Sequence, residues 1–200
     1  MQTDANTQSA GLPLAGVTVL EMGTFITGPC AGMLLADLGA RVIKIEQPGS
    51  GDPFRAFKGT LYSPHFQTWN RNKQSVTLDT RGADDLAAFD ALVAQADVFI
   101  QNFRPGVAKK LGVDWERLHA INPRLVYASI SGFGATGPDA DRPAFDTVAQ
   151  AASGFLRLLV NPVHPRVVGP AIGDMMTGFY TAQGVLAALL QRATTGQGRL

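Results

Sequence analysis

The feature that most constrains the fold of this chain is the alternation of short apolar runs with segments of helical periodicity. The apolar runs are typical of buried strands and occur at residues 17–21, 41–46, 75–79, 97–101 and 125–130. Apolar spacing predicts helices at residues 28–38, 82–96, 106–111, 114–120, 143–159 and 175–192. Strands that alternate with helices predict an α/β fold with a mostly parallel sheet flanked by helices.

Residues 48–67 interrupt this alternation with Gly, Pro and aromatic residues, and we interpret them as a long ordered loop. Loops of this length are usually functional. Phe57, Tyr62, Phe66 and Trp69, in and beside the loop, could line an acyl pocket or simply pack the loop. The sequence leaves both interpretations open.

The charge balance gives no indication of a nucleic-acid partner, because the net charge is +1 and the basic residues are scattered. The single cysteine, Cys30, excludes an internal disulfide framework and suits a reducing cytosol, so we expect a cytoplasmic protein. His65, His119, His164 and Cys30 share no metal-ligand spacing, so we predict no metal site.

The N-terminal segment is predicted to be disordered, whereas the C-terminal residues are predicted to begin a strand. Residues 1–12 are polar and lack the features of a signal peptide, so we predict a disordered N-terminal segment. No apolar run of roughly eighteen residues exists, so we expect no transmembrane helix and no membrane partner. Residues 195–198 are typical of a turn before a strand that Arg199 and Leu200 would begin, so we expect a fragment of a longer chain.

Asp174 is the strongest candidate for a catalytic residue. It follows a turn bracketed by Gly169 and Gly173 and precedes an apolar helical run. A carboxylate at the positive end of a helix stays ionised and can attack an activated acyl group. The alternative is that Asp174 is only the N-cap of the helix, a position that Asp favours.

A second glycine-rich segment, residues 132–137, fits the pattern G-x-G-x-x-G and follows a predicted strand. Residues 138–143 contain two prolines and open no helix at the last glycine, which a dinucleotide fingerprint requires. We therefore interpret these glycines as allowing a tight turn or the close approach of a ligand at the end of a strand.

Two further segments follow the carboxyl ends of predicted strands. Gly28 and Pro29 begin the first helix, whose free N–H groups could bind an anion or could simply start the helix. Asn102, Arg104 and Lys110 could bind a purine and phosphates or could belong to a solvated loop.

Taken together, the segments resemble the class III CoA-transferases. The resemblance rests on the order and spacing of motifs that begin at Leu14 and end with Gly173-Asp174 and the helix after it. The intervening motifs are residues 14–21, 27–29, 35–46, 48–52, 70–79, 96–106 and 129–134.

The resemblance implies that coenzyme A is transferred from an acyl-CoA to a free carboxylic acid. The family nucleophile aligns with Asp174, which would form a mixed anhydride and then an aspartyl-CoA thioester. Anhydrides hydrolyse in water, so the site must be dry and the CoA held close. Coenzyme A is then a substrate, no cofactor is tightly bound, and small dicarboxylates are the acids that the resemblance implies.

The resemblance also implies where CoA binds. Ile26 and Thr27 would face the thiol arm, while Gln47, Leu78 and Arg81 would meet the adenosine and phosphate end. Some family members carry Gln at the position of Ile26 and basic residues near Gln47 and Arg81, so these assignments depart from the family pattern. The remaining positions of the implied CoA surface are Asn102, Phe103, Arg104, Lys110, Arg142 and Phe145.

The related α-methylacyl-CoA racemases share the fold but exchange a proton with a His–Asp pair. The histidine would stand directly before Asp146, where this chain has Phe145. An acyl-CoA racemase of this fold and a CoA-binding fragment without catalysis are the alternatives to a transferase.

The resemblance implies a Rossmann-like fold. Residues 13–200 would be the N-terminal part of a CoA-binding large domain. A second, smaller domain would be absent from this chain, and two full-length chains would interlock as a homodimer.

Overall fold

The sheet of this protein is entirely parallel, in agreement with the alternation of its sequence. The computed structural model describes residues 11–57, 63–164, 166–167 and 169–200, so Tyr62 and residues 1–10 lie outside the described residues. In the described chain the strands pair in the order β3-β2-β1-β4-β5, all in parallel. The strands are β1 (Thr18–Glu21), β2 (Arg41–Glu46), β3 (Lys73–Thr77), β4 (Val98–Gln101) and β5 (Val126–Ser129).

Helices of very different length connect and cover the strands. A 3₁₀ turn at Pro53–Arg55 lies between β2 and β3. The helices are α1 (Thr27–Asp37), α2 (Pro64–Asn70), α3 (Ala83–Val93), α4 (Val107–Lys110), α5 (Trp115–Ile121), α6 (Asp146–Ala152), α7 (Leu156–Leu159) and α8 (Ile172–Thr195).

The first strand–helix–strand unit follows the sequence prediction closely. Strand β2 has the predicted bounds, and α1 begins and ends one residue before the predicted limits. Gly39 has φ +100° directly after the C-cap of α1, where a left-handed residue ends a helix without a Cβ penalty. The chain can therefore turn sharply from α1 into β2.

The long loop predicted at residues 48–67 is only partly correct. The Ser63 side chain accepts a hydrogen bond from Phe66 N at 3.2 Å, and Pro64 occupies the first turn, so α2 starts inside the predicted loop. The single helix predicted at 143–159 is also wrong, because Gly154, at φ +78°, separates α6 from α7. Strand β3 begins and ends two residues earlier than predicted.

The core lies on both faces of the sheet because neighbouring strand residues point to opposite sides. Val19 faces a layer formed by α1 and α8, whereas Leu20 faces the layer that contains α3 and α5. Helices therefore cover both faces, as the Rossmann-like prediction requires. The first layer includes Leu35, Val42, Ile100, Ala182 and Val185, and the second includes Ile43, Phe89, Val93, Phe99 and Leu118.

The far edge of the sheet is close to the end of the chain. Arg199 forms an isolated parallel bridge with Val126, and Tyr127 N donates to Arg199 O at 2.7 Å. The predicted return to extended backbone at Arg199 is thus confirmed. Among the described residues, no helix is both long and apolar enough to cross a membrane.

Candidate active site

The candidate site lies at the carboxyl ends of β1 and β4, where the strand order reverses. Ligands of open parallel sheets bind at such a reversal. Asn102 follows β4 and accepts a hydrogen bond from Thr24 N at 2.9 Å, while its Nδ2 donates at 2.8 Å to both Thr24 O and Thr27 Oγ1. The Asn102 side chain thus joins the loop after β4 to the loop before α1.

The loop before α1 contains a strained residue that the sequence did not indicate. Phe25 has φ +62°, a conformation that a bulky side chain rarely adopts. Asp52 Oδ1 accepts from Phe25 N at 3.3 Å, and the Phe25 ring meets Phe54 edge-on at 5.2 Å. A second edge-on contact at 6.1 Å reaches Phe145, which precedes α6. Loop, 3₁₀ turn and α6 are therefore linked through one aromatic side chain.

Asp174 lies inside the first turn of α8, so the N-cap interpretation is wrong. The helix starts three residues earlier than predicted, and its N-cap is Ala171, which makes no side-chain capping bond. The capping group comes from α6 instead. Asp146 Oδ1 accepts from Gly173 N at 2.7 Å and from Asp174 N at 3.3 Å. The Asp174 carboxylate is therefore free from the capping role.

The environment of Asp174 disfavours its charge. Burial of the half-buried side chain and the neighbouring Asp146 carboxylate raise the pKa of Asp174 to about 6. The expectation that the carboxylate stays ionised therefore holds at neutral pH but fails in mild acid. A carboxylate with a raised pKa is also more basic than an exposed one.

Helices α1 and α8 pack closely against each other at Gly178. A Cβ at this glycine would lie 2.6 Å from Cys30 Cβ and 3.1 Å from Thr27 O. Cys30 is buried, and its Sγ is 4.0 Å from Met175 O. The predicted packing role of Cys30 is confirmed, and this packing brings the N-terminal turns of both helices together.

Several residues predicted to bind CoA meet beside the end of β2. Gln47, Leu78, Arg81 and Phe103 line a cavity of about 150 Å³. Arg81 is largely exposed and pairs with Asp79, with 2.7 Å between Nε and Oδ1. The cavity therefore has an exposed guanidinium, paired with Asp79, among its lining groups, which are both apolar and polar.

The other predicted residues lie on the exposed surface around the loops. Arg104 donates to Asp141 O at 3.0 Å, which ties the loop after β4 to the segment before α6. The Arg142 guanidinium stacks 4.9 Å from the centre of the Phe133 ring. Lys110 ends α4 and is exposed, and Phe145 is 68% exposed beside the strained loop. The structure thus surrounds the sheet edge with these groups but does not gather them into one cavity.

A larger groove of about 1310 Å³ lies elsewhere, between β5, α8 and the loop after β4. Phe103 and Arg104 reach it, but Asp174 does not line it among the described residues. Asp174 therefore lies outside this groove, on the helix turn that Asp146 caps.

The glycines at residues 132–137 have local structural roles. A Cβ at Gly132 would lie 2.2 Å from Ala144 Cβ, so only glycine fits there. Gly134 and Gly137 have φ +84° and +97°, and between Gly137 and the start of α6 at Asp146 the described chain begins no helix. The prediction of tight turns without a dinucleotide fingerprint is confirmed.

A cluster of buried charges, which the sequence analysis missed, supports the loop before α1. We call Glu21, Lys44, Asp52 and Lys73 the buried charge cluster. Lys44 Nζ lies 3.3 Å from Glu21 Oε1 and 2.9 Å from Asp52 Oδ2, and it donates to Gly23 O at 2.8 Å. Lys73 Nζ donates to Glu21 Oε2 at 2.9 Å and to Pro29 O at 2.8 Å. The cluster therefore holds both ends of the loop.

The buried charge cluster is balanced in number, because its two carboxylates pair with two ammonium groups. Burial alone would raise the pKa of Glu21, but Lys44 and Lys73 outweigh burial and lower it. Burial lowers the pKa of Lys73 to about 8, with Lys44 adding to the effect. A sequence signal did exist, because charged residues in strands that are buried on both faces must be paired.

Residues 14–200 match the family described as CoA-transferase family III, so the chain belongs to that family. It is 42% identical over 192 residues to a succinyl-CoA–D-citramalate CoA-transferase from Chloroflexus aurantiacus, covering 94% of this chain and 48% of the relative. It is 43% identical to an acetyl-CoA:oxalate CoA-transferase from Acetobacter aceti, covering 93% of this chain and 49% of the relative.

A solved structure supports the fold. A CAIB/BAIF family protein from Brucella suis superimposes with a TM-score of 0.87 at 39% identity, over 94% of this chain and 52% of that one. The chain therefore spans about half the length of the relatives that it matches.

Proposed function

We propose that the protein transfers coenzyme A from an acyl-CoA to a free carboxylic acid, with Asp174 as the covalent nucleophile. The observation that carries the proposal is the position of Asp174. Its carboxylate is half-buried on the first turn of α8, a helix whose Gly178 packs against Thr27 and Cys30 of α1, in a chain that belongs to a CoA-transferase family.

The transfer proceeds through acyl exchange on this one carboxylate. Asp174 attacks the thioester carbonyl, a C–O bond forms, the C–S bond breaks and the CoA thiolate leaves. The thiolate then attacks the aspartyl carbonyl of the mixed anhydride, which gives an aspartyl-CoA thioester and releases the first acid. The acceptor carboxylate repeats the two steps in reverse order and restores Asp174. No net proton or electron is required.

The surroundings of Asp174 suit this chemistry. A pKa of about 6 leaves the group mostly ionised at neutral pH while making it more basic than an exposed Asp. The Phe25 and Phe145 rings, 6.1 Å apart, supply apolar surface beside the site. Such surface excludes water, which would otherwise hydrolyse the anhydride.

CoA then lies along the carboxyl edge of the sheet. Ile26 and Thr27, at the start of α1, contact the thiol arm, and Phe103 with Leu78 contacts the adenosine end near the small cavity. The remaining polar contacts come from Gln47, Arg81, Arg104, Lys110 and Arg142, with Asn102 acting through the loops that it joins. Phe145 completes the apolar wall of the thiol side.

Racemisation is disfavoured by the residue before Asp146. A racemase needs a base there, and the Phe145 ring can neither accept nor donate the α-proton. The acids exchanged are inferred to be small dicarboxylates, since the relatives from C. aurantiacus and A. aceti are described as acting on citramalate and oxalate.

The whole protein is inferred to contain a second, smaller domain beyond residues 13–200. We further infer that two chains interlock as a homodimer and act in the cytoplasm without a metal ion or a tightly bound cofactor. Size measurement of the full-length protein by light scattering tests the dimer directly.

Mass spectrometry tests the proposed reaction. The full-length protein is incubated with a panel of acyl-CoAs and quenched with hydroxylamine, which converts an aspartyl anhydride or thioester to a hydroxamate. We expect the hydroxamate on the peptide that contains Asp174, in wild type and in the surface control Asp84→Asn. Binding of CoA without a hydroxamate from any donor contradicts the proposal and favours proton exchange or a non-catalytic binder.

A further inference from the structure

We propose that Asp146 is a positioning residue for Asp174: its carboxylate holds the first turn of α8 and places a second negative charge beside the nucleophile. The inference rests on the proposed function, because it concerns how Asp174 is presented for attack.

The contacts of Asp146 divide between its two oxygens. Oδ1 accepts from Gly173 N at 2.7 Å and from Asp174 N at 3.3 Å, and Oδ2 accepts from Gln150 Nε2 at 2.6 Å. The first N–H groups of a helix lack partners within the helix, so a carboxylate from α6 takes the place of the missing N-cap side chain. The backbone of Asp174 is thereby fixed relative to α6.

Space around the contact is tight. A Cβ at Gly173 would lie 3.1 Å from Asp146 Oδ1, so a larger residue would push the capping carboxylate away. Gln150, one turn after Asp146 on α6, is buried and orients the second oxygen. No described group donates to the other polar side-chain atom of Gln150, its Oε1. Among the described residues, the polar contact of the Gln150 side chain is therefore the hydrogen bond to Asp146.

Asp146 also acts on Asp174 through its negative charge, and the groups that surround Asp174 make this electrostatic effect specific to Asp146. Helix α6 presents Asp146, and α1 presents Thr27 and Cys30, whose thiol pKa is raised by burial so that it stays neutral. Within the described part of the chain, the charged group that acts on the Asp174 carboxylate is therefore Asp146. Helix α6 both anchors the nucleophile and opposes its ionisation, which keeps the carboxylate basic when it attacks.

Two nearly isosteric variants separate anchoring from charge. Asp146→Asn keeps an oxygen for the Gly173 and Asp174 N–H groups but removes the charge, and the Gln150 amide can rotate so that Oε1 accepts from the new Nδ2. Gln150→Leu keeps the charge but releases Oδ2, and it removes a buried oxygen without a described donor. Both variants are therefore expected to fold.

The experiment measures kcat/KM for the productive acyl-CoA between pH 4.5 and 8 in the full-length protein, with single-turnover formation of the Asp174 hydroxamate as a direct readout. For Asp146→Asn we expect the midpoint of the acid limb to move down by a few tenths to about one pH unit. For Gln150→Leu we expect the plateau to fall by roughly 2- to 10-fold with the midpoint unchanged. Groups on the substrate titrate identically in every variant, so differences arise in the protein. Asp84→Asn is the control for removal of a surface charge.

A purely structural role of Asp146 predicts a lower plateau and a lower melting temperature with an unmoved midpoint. That result in Asp146→Asn overturns the proposal, provided that the wild type forms the Asp174 adduct. Absence of the adduct in the wild type contradicts the proposed function instead, so the two failures are distinguishable.

Discussion

Two groups of buried carboxylates in this molecule differ in how their charge is balanced. In the buried charge cluster, Glu21 is fully buried yet has a lowered pKa, because two ammonium groups surround it. At the start of α8, Asp174 is only half-buried, yet burial raises its pKa to about 6, and its charged neighbour, the Asp146 carboxylate, adds to the rise instead of opposing it. Depth of burial alone therefore does not decide ionisation.

The difference in charge balance corresponds to a difference in role: the buried charge cluster supports a loop, whereas Asp174 is the proposed nucleophile. The balanced cluster fixes the loop before α1 through Gly23 O and Phe25 N, which bond to Lys44 and Asp52. The pair of like charges formed by Asp146 and Asp174 gives Asp174 an energetic reason to lose its charge, which the proposed covalent attack would accomplish. Perturbed carboxylates of this second kind cluster at functional sites.

The largest effect is expected for Asp174→Asn. The amide has nearly the same shape but is not a nucleophile, so we expect kcat for CoA transfer to fall by at least about 10³-fold. Steady-state transfer between an acyl-CoA and a free acid measures this. A kcat within tenfold of the wild-type value would show that Asp174 is not the nucleophile. The contrast between Asp174 and the buried charge cluster would then have no catalytic meaning.

The next effect concerns stability. Lys44→Met leaves Asp52 without its cation and removes one of the two cations beside Glu21, so we expect a loss of about 3–5 kcal/mol in the free energy of unfolding. Urea denaturation measures it. The matched control is Arg71→Met, which breaks the surface pair with Asp37 and should cost less than about 1 kcal/mol. Equal losses in both variants would show that the cluster is not a special support.

A smaller effect is expected in the pH dependence of the wild type. Because the proposed attack requires Asp174 to be a carboxylate, activity should rise as pH increases through about 6 and then level off. A plot of kcat/KM against pH checks the midpoint. A midpoint near the ordinary Asp value, below pH 4.5, would show that neither burial nor Asp146 perturbs the free enzyme.

The smallest effect is the pH dependence of stability. A carboxyl whose folded pKa is raised contributes stability that is complete below its unfolded value near 3.8 and is lost as pH rises through about 6. Glu21 behaves oppositely, because its lowered pKa adds stability above its unfolded value that is lost as pH falls.

Removal of the Asp174 charge should therefore stabilise the fold at neutral pH. Relative to wild type, Asp174→Asn should unfold at a higher temperature at pH 7, by an amount worth at most about 1 kcal/mol because solvent screens the half-exposed group. The advantage should shrink at pH 4.5. Thermal scans at the two pH values measure it, and a constant difference would contradict the assigned pKa.

Local sequence patterns were sufficient for the sheet and for the candidate nucleophile. The apolar runs predicted each strand to within two residues, because parallel strands are buried on both faces and need continuous apolar sequence. Asp174 stood out because a glycine-bracketed turn and an apolar helix flank it within a few positions.

Other features depend on contacts that no local pattern contains. The cap of α8 comes from Asp146, twenty-seven residues before Gly173, so the pattern around Asp174 wrongly suggested that Asp174 capped its own helix. The strain at Phe25 depends on Asp52 and Phe145, which come from other elements. Ser63 and Pro64 did carry a local helix-start signal, which the surrounding Gly, Pro and aromatic residues obscured.

The contact between Gly178 and Cys30 has a consequence for how this site evolves. The two positions share one fixed volume, since a Cβ at residue 178 would come within 2.7 Å of the Cys30 Sγ. A side chain at position 178 is compatible with the fold only if residue 30 becomes smaller, whereas glycine at position 178 cannot become smaller to make room for a larger residue at position 30. Across homologous sequences the two positions should therefore covary in size while their sum stays nearly constant, and the spacing between the nucleophile's helix and α1 should be inherited unchanged.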